Sequence, residues 1–187
     1  ASLYESDAGY TLYMSIIVPA ILPKSREDLE SKLARLAGHV DRVQIDIVDG
    51  RFASPATWPY TPLLTEFSKQ IKEGAFLPHV GEFQFEIDLM VSDPEVSSGL
   101  WIEAGASALT LHVESTRYLS KAITDLKVVY GHDKDFAPNL LSVGLALNID
   151  TDTNILEQYI DQIEYVQFMG IARIGHQGEP FDIRVLR

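Results

Sequence analysis

Short apolar runs of strand-forming residues alternate with helical segments along nearly the whole chain, and this alternation restricts the fold more than any other feature. The strand readings are residues 16–22, 43–50, 85–91, 108–113, 142–147 and 165–171. Between them, Ser25-x-x-Asp28 reads as a helix cap leading into residues 29–36, stopped by Gly38. Thr61-Pro62 opens a second helix that ends near Gly74, and Asp93-Pro94 caps a third that reaches Gly105. Residues 116–131 and 154–163 read as the fourth and fifth helices, and a further helix begins at Phe181. The longest break is the polar stretch 132–139, too short for a domain linker. Six strands alternating with helices predict a mainly parallel sheet with right-handed crossovers.

Two architectures satisfy that pattern, a doubly wound open sheet and a (β/α)8 TIM barrel with about six βα units in this chain. No G-x-G-x-x-G turn follows the first strand, which weakens a dinucleotide-binding sheet. Polar or soft side chains do recur at the C-terminal ends of strands: Asp46 and Asp49, Asp88, His112, Asn148 and Met169. A barrel gathers its chemistry on that face, so the barrel is the expectation.

The segment from Val43 to Gly50 carries the most chemistry. Val43, Ile45, Ile47 and Val48 give it strand character, and Asp49-Gly50 supplies the turn at its end. A charged Asp46 in so apolar a strand costs on the order of several kcal/mol unless a partner, proton or metal compensates. Asp46 is therefore the first candidate for a functional carboxylate, and Asp49 reads as a turn and loop-fixing residue.

The composition narrows the partners. A formal net charge of −12 argues against a nucleic-acid surface. No apolar run approaches the roughly 18 to 20 residues of a membrane span. The chain has no cysteine, which excludes disulfides and thiolate metal sites and agrees with a cytoplasmic home. Residues 1–14 lack the basic and apolar regions of a signal peptide and read as a flexible extension, with Met14 a candidate natural start.

Taken in order, the motifs resemble those of the ribulose-phosphate 3-epimerase family. Gln44-Ile45-Asp46-Ile47-Val48-Asp49-Gly50 is similar to that family's H-x-D-x-M-D-G strand, and Pro19-Ala20-Ile21-Leu22 to its P-S-I-L strand. Asp88-Leu89-Met90-Val91 with Pro94-Glu95 resembles H-L-M-V-x-x-P-E. Ala104-Gly105-Ala106 and His112-Val113-Glu114 match A-G-A and H-V-E, and Gly144 to Asn148 matches G-x-A-L-N. Phe181, Val185 and Leu186 fit the segment after the sixth strand. The resemblance runs from Ile16 to Arg187 and implies a (β/α)8 barrel over residues 15–187, without strands seven and eight.

The same resemblance implies an isomerase that interconverts ribulose 5-phosphate and xylulose 5-phosphate by metal-assisted proton abstraction at C3. It makes Asp46 the catalytic acid/base and a metal ligand, with Asp88 and Gln44 as further ligands. The substrate is a phosphorylated ketose, with Met90, Met169, Gly175 and Gly178 as candidate contacts. The second acid/base is expected on strand seven, beyond Arg187. The departures matter: Gln44 and Asp88 stand where the family has metal-binding histidines, Ala20 replaces a hydroxyl residue and Val48 a methionine. The family's P-G-F-G-G-Q loop is here Arg173-Ile174-Gly175-His176-Gln177-Gly178. Among Mg, Mn, Zn and Fe, loss of two imidazoles either moves preference toward Mg or Mn or marks a metal site that has decayed.

Other readings stay open. A non-catalytic relative could bind a sugar phosphate or a protein partner. A hexulose-phosphate synthase or decarboxylase would carry a lysine in the strand-two acidic cluster, and residues 44–50 have none. Glu86 reads as a barrel-layer carboxylate and His112 as a hydrogen-bonded core histidine. An incomplete barrel exposes strand edges, so a homo-oligomer is expected.

Overall fold

Six parallel strands, β1 (Ala20–Ile21), β2 (Arg42–Val48), β3 (Gln84–Met90), β4 (Ala106–His112), β5 (Ser142–Leu147) and β6 (Tyr165–Phe168), pair in chain order and curl into a half-barrel. The computed structural model describes residues 3–5, 11–13, 16–61, 64–130 and 141–186. Helices α1 (Arg26–Leu36), α2 (Leu64–Lys72), α3 (Pro94–Glu103) and α4 (Leu119–Tyr130) make the successive crossovers. Ahead of β1, Leu3–Glu5 and Thr11–Tyr13 pair antiparallel as a separate two-stranded sheet.

Side chains alternate along each strand, and the two faces of the sheet have opposite chemistry. Val43, Ile45 and Ile47 of β2, Phe85, Ile87 and Leu89 of β3, Leu109 and Leu111 of β4, and Val143 and Leu145 of β5 are fully buried in one cluster. The helices close over this convex face with Leu29 and Leu33 of α1, Phe67 and Ile71 of α2, Trp101 of α3 and Ile123 of α4. Phe67 sits at the centre of an aromatic row, its ring centroid 5.0 Å from Trp58 and 5.1 Å from Trp101. The intervening residues face the concave side: Gln44 and Asp46, Glu86 and Asp88, Thr110 and His112, Gly144 and Ala146, Tyr165 and Gln167. The stabilising core is thus the layer between sheet and helices, and the polar set is gathered on the other side.

Local chemistry explains most element ends. Ser25 caps α1, its hydroxyl accepting from the Asp28 N–H at 3.2 Å, while the Asp28 carboxylate accepts from the Lys24 N–H at 2.9 Å. Asp93 occupies the cap position of α3 with Pro94 next, yet its side chain makes no cap bond and instead accepts from the Ser97 hydroxyl at 3.2 Å.

Four expectations are corrected. The first strand is two residues long rather than seven, because Pro19 has no N–H to give and Ile16 and Ile17 stand exposed. The segment read as a helix over 154–163 forms two 3-10 turns, Thr153–Gln158 and Ile160–Gln162. There Asp152 accepts from the Asn154 N–H at 2.9 Å and tightens the start into a turn. The segment opening at Phe181 is a single 3-10 turn, Ile183–Leu186. The fourth helix starts at Leu119 rather than at Thr116, whose hydroxyl accepts from the Tyr118 N–H at 3.1 Å. Met14, Pro62 and the polar stretch 132–139 lie outside the described residues.

Candidate active site

The register of β2 on β3 sets Gln44 beside Glu86 and Asp46 beside Asp88. Neighbouring strands run about 4.8 Å apart, so the two aspartates form an adjacent acidic pair on the concave face. Gln44 donates its amide N–H to Asp46 Oδ1 at 2.8 Å. Asp88 is buried, at 1% exposure, and both of its oxygens are engaged. His112 Nε2 lies 3.1 Å from Oδ1, and Gln167 donates to Oδ2 at 2.9 Å. Glu86 is turned to the near end of the barrel, where Arg42 pairs with it at 3.2 Å.

These contacts fix the proton affinities. Burial, and next the charge of Asp88, push the Asp46 carboxyl up to about 7, against the opposing pull of Gln44 and His112. His112 has no exposed surface and sits between two acids, with Nδ1 3.8 Å from Glu114. Burial works against its charged form, but Asp88 and Glu114 together outweigh it and lift the imidazole to about 9. Burial likewise raises Glu114, and His112, Thr151 and the Asn148 N–H overcome it, bringing that carboxyl down to about 2. The ring of Phe52, on the loop after β2, covers His112 with centroids 5.3 Å apart.

Asp49 does separate work. Its Oδ1 accepts from the N–H groups of Arg51 and Phe52 at 2.7 and 2.8 Å, and its Oδ2 from the Ser92 N–H and hydroxyl at 2.8 and 2.7 Å. One buried carboxylate thereby ties the loop after β2 to the end of β3 and sets Phe52 over the site.

The candidate substrate contacts divide. Met90 is buried with Val48 and Ala53, against Phe52 and Ile174, above the acidic pair. Met169 is half-buried, its sulfur 3.5 Å from the Gln167 amide nitrogen. Gly175 is buried, has φ +78°, and rests where an added Cβ would lie 3.3 Å from both Val48 and Ala53. Only a chain without a side chain passes that close in that conformation. Gly178 is exposed with open space around it, so it stands apart from the cluster. Gln177 between them donates to the Ala20 carbonyl of β1 at 3.0 Å, so the loop after β6 crosses to the opposite edge strand.

Two residues of the cluster were not anticipated as partners of Asp88. His112 reads as a core histidine from its apolar strand, and Gln167 carries no motif. The available signal was the two-residue period that puts Gln167 on the same face as Met169 and Tyr165.

The donor set bears on the divalent ion that the resemblance implies. Among the described residues, no group of three or more His, Cys, Asp or Glu side chains is placed to hold a metal. Asp88 spends both oxygens on N–H donors, His112 spends Nε2 on Asp88, and Gln44 turns a nitrogen toward Asp46. As arranged, Gln44, Asp46 and Asp88 do not fit a divalent ion. No described helix is long and apolar enough to cross a membrane.

Comparison with known proteins gives the geometry its context. The model of the ribulose-phosphate 3 epimerase family matches residues 16–187. A chloroplastic ribulose-5-phosphate-3-epimerase of Arabidopsis thaliana is 26% identical over 170 residues, covering 89% of this chain and 52% of the relative. The ribulose-phosphate 3-epimerase of Aquifex aeolicus is 22% identical, covering 90% and 66%. That of Schizosaccharomyces pombe is 25% identical, covering 88% and 64%. The chain spans roughly half to two thirds of the length of these relatives.

Proposed function

We propose, for a chain that belongs to the ribulose-phosphate 3 epimerase family, that the concave face carries proton transfer at C3 of a phosphorylated ketose such as ribulose 5-phosphate. The observation that supports this is Asp46: a half-buried carboxylate at the C-terminal half of β2, raised to about 7 by burial and by Asp88. At neutral pH such a group exists in both protonation states, which suits it to take a proton and return it. The C3 proton is the acidic one because the C2 carbonyl spreads the resulting charge. Gln44 orients the carboxyl through Oδ1, leaving Oδ2 for the substrate. Met90 and Met169 line the approach, and the backbone at Gly175 is the candidate phosphate contact, with Gly178 standing apart.

The reading draws on no divalent cation, because Gln44 is bonded to Asp46, and Asp88 to His112 and Gln167. Inversion to xylulose 5-phosphate needs a second acid/base on the opposite face of the enediolate, which the resemblance assigns to strand seven. Exchange at C3, rather than net inversion, therefore tests Asp46. In deuterated water, NMR should show C3 exchange of ribulose 5-phosphate, reduced at least about 100-fold in Asp46→Asn. Absence of exchange with any pentulose phosphate, with and without added divalent metal, overturns the proposal.

The replacement of both family imidazoles by Gln44 and Asp88 favours a second reading, a non-catalytic relative that binds a sugar phosphate. In that case Asp46→Asn leaves calorimetric binding of the sugar phosphate unchanged.

A further inference from the structure

On the concave face the carboxylate of Asp88 is fully engaged by protein donors, while His112 Nδ1 has no hydrogen-bond partner and stands 3.8 Å from Glu114. Asp88, at 1% exposure, receives N–H donors from two other strands: His112 Nε2 at 3.1 Å and Gln167 Nε2 at 2.9 Å. His112 has no exposed surface and is covered by Phe52. Gln44 directs its amide nitrogen at Asp46 Oδ1, offering a donor where a cation needs an oxygen. Of the oxygens of Gln44, Asp46 and Asp88, this leaves Asp46 Oδ2 and Gln44 Oε1 uncommitted, so one carboxylate oxygen is free where Mg or Mn, which keeps several waters, takes one or two carboxylates.

We propose that the Asp88–His112–Gln167 network occupies the place of a divalent cation in this chain, so that the site neutralises its adjacent carboxylates with protein N–H donors and takes up no metal. A corollary follows from the register. Asp46 and Asp88 are side by side on neighbouring strands. Removing either donor exposes an oxygen of Asp88 next to Asp46 and creates the two-carboxylate site that the native network closes. The inference concerns occupancy and stands independently of the isomerase reading.

The test uses the purified chain, stripped with chelator, and follows calorimetric binding and thermal melting with Mn²⁺ and Mg²⁺. The wild type should show no stoichiometric binding at up to about 1 mM cation and no change in melting, the range in which carboxylate sites of moderate affinity fill. His112→Leu should melt lower than wild type and gain about 5 °C when Mn²⁺ is raised to about 100 times its dissociation constant. Gln167→Leu, which frees Oδ2 on an edge strand, should show the same cation-dependent gain and decides the matter if His112→Leu does not fold. One-to-one binding of Mn²⁺ by the wild type, lost in Asp46→Asn, overturns the proposal. So does the absence of any cation-dependent gain in Gln167→Leu. Because the readout is metal binding and not turnover, a failure of C3 exchange leaves this inference untouched, and the converse also holds.

Discussion

Replacing Gly144 by alanine should destabilise the protein by about 2 to 3 kcal/mol. Gly144 lies in the middle of β5, and the ring of Tyr165 on β6 leans across it to reach the Thr110 hydroxyl on β4 at 2.8 Å. A methyl group at position 144 would meet three ring carbons of Tyr165 at 2.2, 2.4 and 2.5 Å. Carbon atoms rest at about 3.5 to 4.0 Å, so the ring must retreat by more than 1 Å. Retreat on that scale breaks the bond to Thr110. Overpacking costs about 1 to 3 kcal/mol and the lost hydrogen bond about 1 kcal/mol. The narrower unfolded ensemble of alanine returns about 0.4 to 1 kcal/mol. Urea unfolding followed by fluorescence reads the difference as a shift in midpoint at constant slope. The decisive arm is a double-mutant cycle with Tyr165→Leu, which removes the ring and should abolish most of the cost of Gly144→Ala. An equal cost in both backgrounds, or a single-variant cost below about 0.5 kcal/mol, refutes the reasoning.

Asp49→Ala should cost about 3 kcal/mol in the same assay, since four N–H and O–H donors lose one buried carboxylate; an unchanged midpoint refutes its role as the tie between the loop after β2 and β3. Stability should also fall on the alkaline side. His112 is raised from 6.5 to about 9, so its contribution is complete below about pH 6.5 and lost as pH rises through 9, and Asp46, raised from 3.8 to about 7, shifts the balance in the same direction. The urea midpoint should be lower at about pH 9.5 than at about pH 6, with the decline above pH 7 flattened in His112→Gln; a flat profile in the wild type counts against the ion pair.

The parts of the fold that were legible in the sequence were those set by local pattern. Ser142–Leu147 falls where its apolar run ends, and Ser25 caps α1 because a hydroxyl three residues before an N–H needs no long-range information. The failures have the opposite cause. The first strand is shortened at Pro19, which has no donor for the ladder, and the 154–163 segment is tightened by the carboxylate of Asp152. In the site, Asp46 announced itself through the cost of its apolar surroundings. Asp88 was placed by resemblance, but what it touches was not, because His112 and Gln167 reach it from 24 and 79 residues away. Strand periodicity says which face a residue takes. Only the register of three strands says which side chain meets it there.

The separation of the sheet into an apolar convex face and a polar concave one also bears on how such a protein changes over time. Folding rests on Val43, Ile45, Ile87, Leu109 and their helical partners, and the chemistry rests on the alternate positions of the same strands. The two alphabets interleave residue by residue without sharing a position. A lineage can exchange imidazole for amide at Gln44 or for carboxylate at Asp88 while the packing behind the sheet stays as it was. Architecture and reactivity are then separable, each on its own set of odd or even positions.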